Sequence, residues 1–211
     1  MDFFPPLHRY LDDRANDAPT IEAGRRSVLE HWAEKMADQR RSRKRIRLNF
    51  ICTHNSRRSQ LGQVWAHAAS RYYGMSFVDS YSGGTEVTAC HPNTLTALER
   101  AGIGITRGSE AENPHHFARL KPRGAALELF SKVYDDVANP TGDFMALMTC
   151  GHAEENCPFV AGASTRISLN YDDPKVSDGT PEQSATYDER CRQIAAEMMY
   201  AFKHLNQLLK S

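Results

Sequence analysis

One stretch of this chain constrains the fold more than any other. Residues 46–51 (IRLNFI) are apolar at 46, 48, 50 and 51, the pattern of a buried strand. Cys52 follows at once, in a loop CTHNSRRSQ that leads into a helix expected from about Ser59 to Tyr73. A buried strand that passes through a short loop into a helix is the repeating unit of an α/β sheet. The rest of the chain repeats it. Further strands are expected at Ser76–Tyr81, ending in Ser82-Gly83-Gly84, at Phe144–Thr149, which is wholly apolar, and at Arg166–Tyr171. Helices are expected at Pro92–Ala101 and after Thr180-Pro181-Glu182-Gln183. The last helix carries a stripe through Cys191, Ile194, Met198, Phe202, Leu205 and Leu209. This alternation predicts an α/β fold of three layers around a doubly wound, mainly parallel sheet. Residues 117–120 and 126–134, around Lys121-Pro122-Arg123-Gly124, read as an inserted β-hairpin.

The first 44 residues stand apart. Residues 1–19 are rich in Pro and Asp and are expected to be irregular. One amphipathic helix is expected over 21–40, with Leu29, Trp32, Ala33 and Met36 on one face. A basic run, Arg40 to Arg47, follows as a linker. The division is therefore an N-terminal extension, 1–44, and a main domain, 45–211. The apolar stripe of 21–40 should pack on the domain or on a second subunit, which would make a homodimer. The basic run precedes the first strand while the Cys52 loop follows it. A seven-residue strand spans about 23 Å, so the run cannot steer a ligand into that loop.

The 26 Lys and Arg balance the 26 Asp and Glu, which argues against a nucleic-acid-binding protein. No apolar run is long enough to span a membrane, and the N-terminus shows no signal pattern, so a cytoplasmic protein is expected. Five cysteines, Cys52, Cys90, Cys150, Cys157 and Cys191, are too scattered for a disulfide scaffold. Cys191 on its helix stripe and Cys90 before His91-Pro92 read as structural.

The loop at Cys52 has the composition of an oxyanion site. Ligands of open α/β sheets bind beyond the carboxyl ends of the strands. A tight loop there turns backbone N–H groups inward, and the helix N-terminus adds a partial positive charge. The expected cradle comprises Thr53, His54, Asn55, Ser56, Arg57, Arg58 and Ser59. Arg58 can grip two oxygens of a tetrahedral anion in its planar fork. The same field favours Cys52 as a thiolate nucleophile, with Ser59 donating to its sulfur and Asn55 bonding across the loop. Arg57 adds positive charge beside the site.

Three more residues follow predicted parallel strands and so belong to the same sheet edge: Cys150, Cys157 and Asp173. Asp173, fixed by Pro174, is a candidate general acid. Cys150 and Cys157 are open to three readings: a redox pair, two core cysteines, or a zinc site with His152. Zinc ligands usually come in tighter pairs and no second pair exists, so no metal is expected.

FICTHNSRRSQL resembles the phosphate-binding loop of low-molecular-weight protein tyrosine phosphatases and of the thioredoxin-coupled arsenate reductases that share their fold. The resemblance covers about 46–211, with an insertion near 112–140. It implies that Cys52 is the nucleophile, and that Arg58 and the loop amides bind the oxyanion. The spacing of Cys150 and Cys157, and the CPF context, resemble the redox pair of those reductases. The implied chemistry converts arsenate to arsenite through a Cys52 adduct and a Cys52/Cys150/Cys157 disulfide relay, with thioredoxin or a similar dithiol as reductant. In that relay the polar, helix-breaking stretch 151–158 would be the segment that moves. Arg57 departs from the second loop cysteine of many such reductases. Lys175 and Val176 follow Asp173-Pro174 where phosphatases of the family usually have tyrosines. The alternative is a phosphatase hydrolysing phosphate monoesters through a Cys52 phosphocysteine. Ser82, Gly83 and Asn55 also resemble residues that bind potassium in some arsenate reductases, although Gln63 stands where a Glu would help.

Overall fold

The structure, a computed structural model, describes residues 3–109, 111–156 and 159–210. Its centre is the expected strand, β1 (Ile46–Cys52). On one side β1 pairs with β2 (Val78–Gly84), and on the other with β6 (Phe144–Met148), which pairs in turn with β7 (Ala163–Ser168). All three pairings are parallel. The connecting helices are α3 (Arg58–Tyr72), α4 (Pro92–Arg100), a short α5 (Gly151–Asn156) and the long α6 (Gln183–Leu208).

The alternation of side chains along β1 divides two cores. Ile46, Leu48 and Phe50 face a large cluster shared with α3 and α6, while Ile51, on the opposite face, joins a small one with Phe144, Ala146, Met148, Cys150, Ala153 and Val160, to which Cys52 also belongs where the strand ends. Helices cover both faces, unequally: α3 and α6 on one, α5 on the other.

The N-terminal residues are more ordered than expected. The described part of 1–19 is not irregular: α1 spans Pro5–Ala15, and a 3₁₀ turn spans Ala18–Thr20. Two prolines occupy the first helical positions, where their missing N–H groups cost nothing. Leu7 and Leu11 then fall one turn apart and are fully buried. Gly102, just past α4, makes this possible. Its φ is +94°, and a Cβ there would lie 2.4 Å from Leu7 N, so only glycine lets α1 cross at this point. The extension therefore has two helices, not one.

The expected helix is α2 (Ala23–Arg41). Leu29, Trp32, Ala33 and Met36 are all buried in the large cluster. Trp32 meets Phe50 and Phe202 edge-on, with ring centroids 6.3 and 6.0 Å away. The stripe is consumed within the chain, so it offers no face for a homodimer. The basic run is locally paired: Lys44 with Asp143, Arg45 with Asp79, Arg41 with Asp38.

The inserted hairpin is part of a larger element. Strands β4 (His116–Arg119) and β5 (Leu127–Leu129) pair antiparallel, and β3 (Gly104–Thr106) joins β4 to make a three-stranded sheet. A parallel bridge from Gly84 to Val133 ties the segment after β5 to the end of β2. The stretch after Cys150 is also corrected. It is not helix-breaking, since residues 151–156 form α5.

Candidate active site

The loop between β1 and α3 is shaped by where its carbonyls go. Thr53 O accepts from the N–H groups of Thr85 and Glu86, at 2.8 and 2.9 Å. His54 O accepts from the hydroxyls of Thr88 and Ser131, at 3.1 and 2.8 Å. Asn55 O accepts from Gln60 Nε2 at 2.9 Å, and Ser56 O from His91 N at 3.0 Å. With four successive carbonyls held outward, the peptide N–H groups are left for the concave side, an anion-binding arrangement. No side chain caps α3 either, so its first-turn N–H groups remain available to an oxyanion.

Asn55 holds this shape. It is fully buried and has φ +46°, a left-handed conformation that asparagine tolerates better than most residues. Its Oδ1 accepts from Lys132 N at 3.0 Å, and its Nδ2 donates to Ser59 Oγ at 2.8 Å. The first bond fixes the orientation of the amide, because a backbone N–H can only donate. The second occupies an acceptor site on Ser59, which leaves the hydroxyl proton for Cys52 Sγ, 3.0 Å away. Gly84 of β2 completes the frame. A Cβ there would stand 2.5 Å from Thr53 O and 2.8 Å from Asn55 N.

The two arginines separate. Arg58 Nη2 donates to Asp173 Oδ2 at 2.6 Å, and Nη1 to Tyr171 O at 3.0 Å. Its Nε is buried and has no protein partner. Arg57 instead turns to the outer wall, donating to Tyr187 OH at 2.6 Å and Asp178 Oδ2 at 2.8 Å. Burial works against the Asp178 charge, but the Tyr187 hydroxyl and the Arg57 guanidinium outweigh it and hold the carboxyl below the usual range. Each arginine thus faces a carboxylate. The Arg57 charge expected beside the site is neutralised by Asp178, and its guanidinium buttresses the outer side of the loop.

Asp173 stands at the rim. Its Oδ1 accepts from Lys175 N at 3.1 Å, at the start of the 3₁₀ turn Pro174–Ser177. Cys52, His54, Ser56, Arg57, Arg58 and Asp173 line one small pocket. A wider cleft of about 310 Å³ adjoins it, sharing His54, Ser56 and Arg57 and extending to Cys90, His91 and Lys175.

Cys150 leaves β6 on the same side. Ile51 and Met148 are partners in register, so Cys52 and Cys150 emerge from neighbouring strands within two residues of each other. Both are buried, in the same cluster. Thr53 Oγ1 bridges the two segments, 3.5 Å from Cys150 Sγ and 3.2 Å from His152 Nδ1. Cys157 lies outside the described residues. Cys52, Cys90, Cys150 and Cys191 are free thiols. No cluster of metal ligands occurs among the described residues. The expected potassium ligands are otherwise engaged: Ser82 donates to Gln63 Oε1 at 2.5 Å, and Asn55 Oδ1 is taken by Lys132.

No protein-family model matches the chain. It is 28% identical over 153 residues to an arsenate reductase of Halalkalibacterium halodurans, across 72% of this chain and 91% of that protein. The fold is that of a low-molecular-weight protein tyrosine phosphatase from Bacillus subtilis, with TM-score 0.52 and 14% identity over 77% of this chain and 98% of that one. A phosphatase of the same class from T. tengcongensis matches at TM-score 0.51 and 14% identity, over 75% and 98%. The chain is a homologue of the arsenate reductases, built on the low-molecular-weight phosphatase fold. This is an enzyme fold.

Several residues of this reductase homologue's site escape motif reading. Lys132 and Ser131 hold the loop from the segment after β5, and Tyr187 and Asp178 hold Arg57. Only Tyr187 left a trace in the sequence, one turn before Cys191 on the stripe of α6.

Proposed function

We propose that the protein reduces arsenate to arsenite, with the Cys52 loop as oxyanion site and Cys150 and Cys157 as relay thiols. The placement of Cys150 carries this reading: it lies buried in one cluster with Cys52 and is joined to the loop by Thr53. Hydrolysis of a phosphate ester has no use for that second thiol.

In the proposed sequence, the Cys52 thiolate attacks arsenic(V), and one arsenate oxygen leaves as water with a proton delivered from Asp173. Arg58 Nε and the inward N–H groups hold the remaining oxygens. The Cys150 thiolate then attacks the Cys52 sulfur. The S–As bond breaks with its electron pair left on arsenic, so arsenite departs and a Cys52–Cys150 disulfide remains. Cys157 attacks Cys150, and Cys52 leaves as a thiolate. A thioredoxin-like dithiol reduces the Cys150–Cys157 disulfide, which fits a reducing compartment such as the cytoplasm. The disulfide steps need Cα atoms within about 7 Å, so α5 must unwind or shift during the cycle.

The test is thioredoxin-coupled arsenite production by the wild type and by Cys150→Ser. Loss of turnover in the variant supports the relay, and equal turnover in both refutes it. A second reading, phosphate monoester hydrolysis through a Cys52 phosphocysteine, is favoured by the 310 Å³ cleft, which exceeds what a bare oxyanion needs. The reductase reading expects weak p-nitrophenyl phosphate hydrolysis as well, because loop and nucleophile are shared. The ratio of the two activities separates them.

A further inference from the structure

The N-terminal extension reaches the oxyanion site through a buried polar chain. Arg25, in the first turn of α2, donates through Nε and Nη2 to Glu197 Oε2, at 3.0 and 2.8 Å. Glu197 lies in the middle of α6 and is 2% exposed. A carboxylate so buried is costly unless paired, and Arg25 supplies the charge. Tyr171 OH donates to the same Oε2 at 2.7 Å, and the Arg25 guanidinium sits 4.8 Å from the centre of the Tyr171 ring. Burial first, and Glu197 second, push the Tyr171 phenol well above its ordinary pKa, so it stays a proton donor. The other end of Tyr171 faces the active site. Its carbonyl accepts from Arg58 Nη1, and two residues on, Asp173 accepts from Arg58 Nη2.

We propose that Arg25 is a positioning residue for oxyanion binding, acting through Glu197 and Tyr171 on the segment 171–173 that orients the Arg58 fork. The inference rests on the reading of Arg58 as an oxyanion ligand. It gives the extension a task in chemistry besides its share of the core. A planar guanidinium placed a few tenths of an ångström off loses the alignment on which bidentate grip depends. Arg25 touches no reacting atom, so its effect should appear in anion affinity and in the turnover number rather than in the identity of the nucleophile.

The probe is inorganic phosphate, its dissociation constant measured calorimetrically on the full chain. Arg25→Met should weaken phosphate about tenfold and also lower the thermal midpoint, since the buried Glu197 carboxylate loses its counter-charge. The double variant Arg25→Met/Glu197→Gln removes the unpaired charge. It should recover the midpoint but keep the weakened affinity, whereas a merely structural role would restore both together. Arg25→Lys, which keeps the charge but loses the fork, should fold and fall between. Phosphate affinity within twofold of wild type in the double and Lys variants overturns the proposal. Arg58→Ala tells the two failures apart. If it leaves phosphate binding intact, the oxyanion reading itself fails. If it abolishes binding while the Arg25 variants do not change it, only the positioning role fails.

Discussion

Two segments carry a cysteine out of neighbouring central strands, and they are built differently. After β1, four successive carbonyls are tied to donors in the segment between β2 and α4, in α3 and in the segment after β5, and Asn55 is locked on both ends of its amide. After β6, Cys150 opens a six-residue helix whose first residues, Gly151 and His152, are exposed. Among the described residues, its Sγ accepts a long bond from Ala153 N, at 3.4 Å, and touches Thr53. The contrast teaches how one edge of a sheet can serve two tasks. Binding a small tetrahedral anion rewards donors fixed in advance. Passing a disulfide from one sulfur to another rewards a segment that costs little to displace.

Four outcomes would sharpen or break this contrast. The largest effect is expected from Cys52→Ala, which should lower both arsenate reduction and p-nitrophenyl phosphate hydrolysis by about 10⁴-fold or more. Next, Cys150→Ser should abolish arsenite production under multiple-turnover conditions while hydrolysis stays within about threefold of wild type. If both activities fell together, the two segments would not be functionally separate. Third, Asn55→Ala should destabilise the protein by about 2–4 kcal/mol in urea melts, because it orphans Lys132 N and places alanine at positive φ. The equivalent change in the second segment, His152→Ala, should cost well under 1 kcal/mol, since the side chain is exposed.

A fifth outcome concerns pH. Burial pushes His67, on the helix behind the first loop, down from 6.5 to about 4. Between those values the unfolded chain binds a proton that the folded chain refuses, so stability is full above 6.5 and is lost as pH falls towards 4. At pH 5 the loss is up to about 2 kcal/mol. His67→Gln should remove that part of the acid sensitivity, read as the difference in urea midpoint between pH 7 and pH 5.

The legibility of the two segments also differs. The strand 46–51, the loop, and the bonds of Ser59 to Asn55 and Cys52 are local in sequence and readable from residue type and spacing, whereas the bond from Lys132 to Asn55 spans 77 residues and is not. The gathering of Cys52, Cys150 and Asp173 was readable too, because parallel strands point one way. The direction of Arg57 was not readable, since its partner Tyr187 lies 130 residues away. Nor was α1. Pro5, Pro6 and a cluster of aspartates look irregular, and only two leucines mark the buried side, so that helix depends on tertiary packing rather than on its own propensity. Strand β2 ran past its expected end because Gly83 and Gly84, which read as a break, are needed where Tyr134 and the Cys52 loop approach the backbone.

In the proposed reaction one arsenate is reduced at the expense of thiols in these two segments. The most direct test is peptide mapping of the disulfides after a single turnover with arsenate and no external reductant. The proposed relay should yield a Cys150–Cys157 disulfide with Cys52 free, one per arsenite formed, and a trapped Cys52–Cys150 disulfide in Cys157→Ser. Arsenite formed with Cys150 still a free thiol would contradict it.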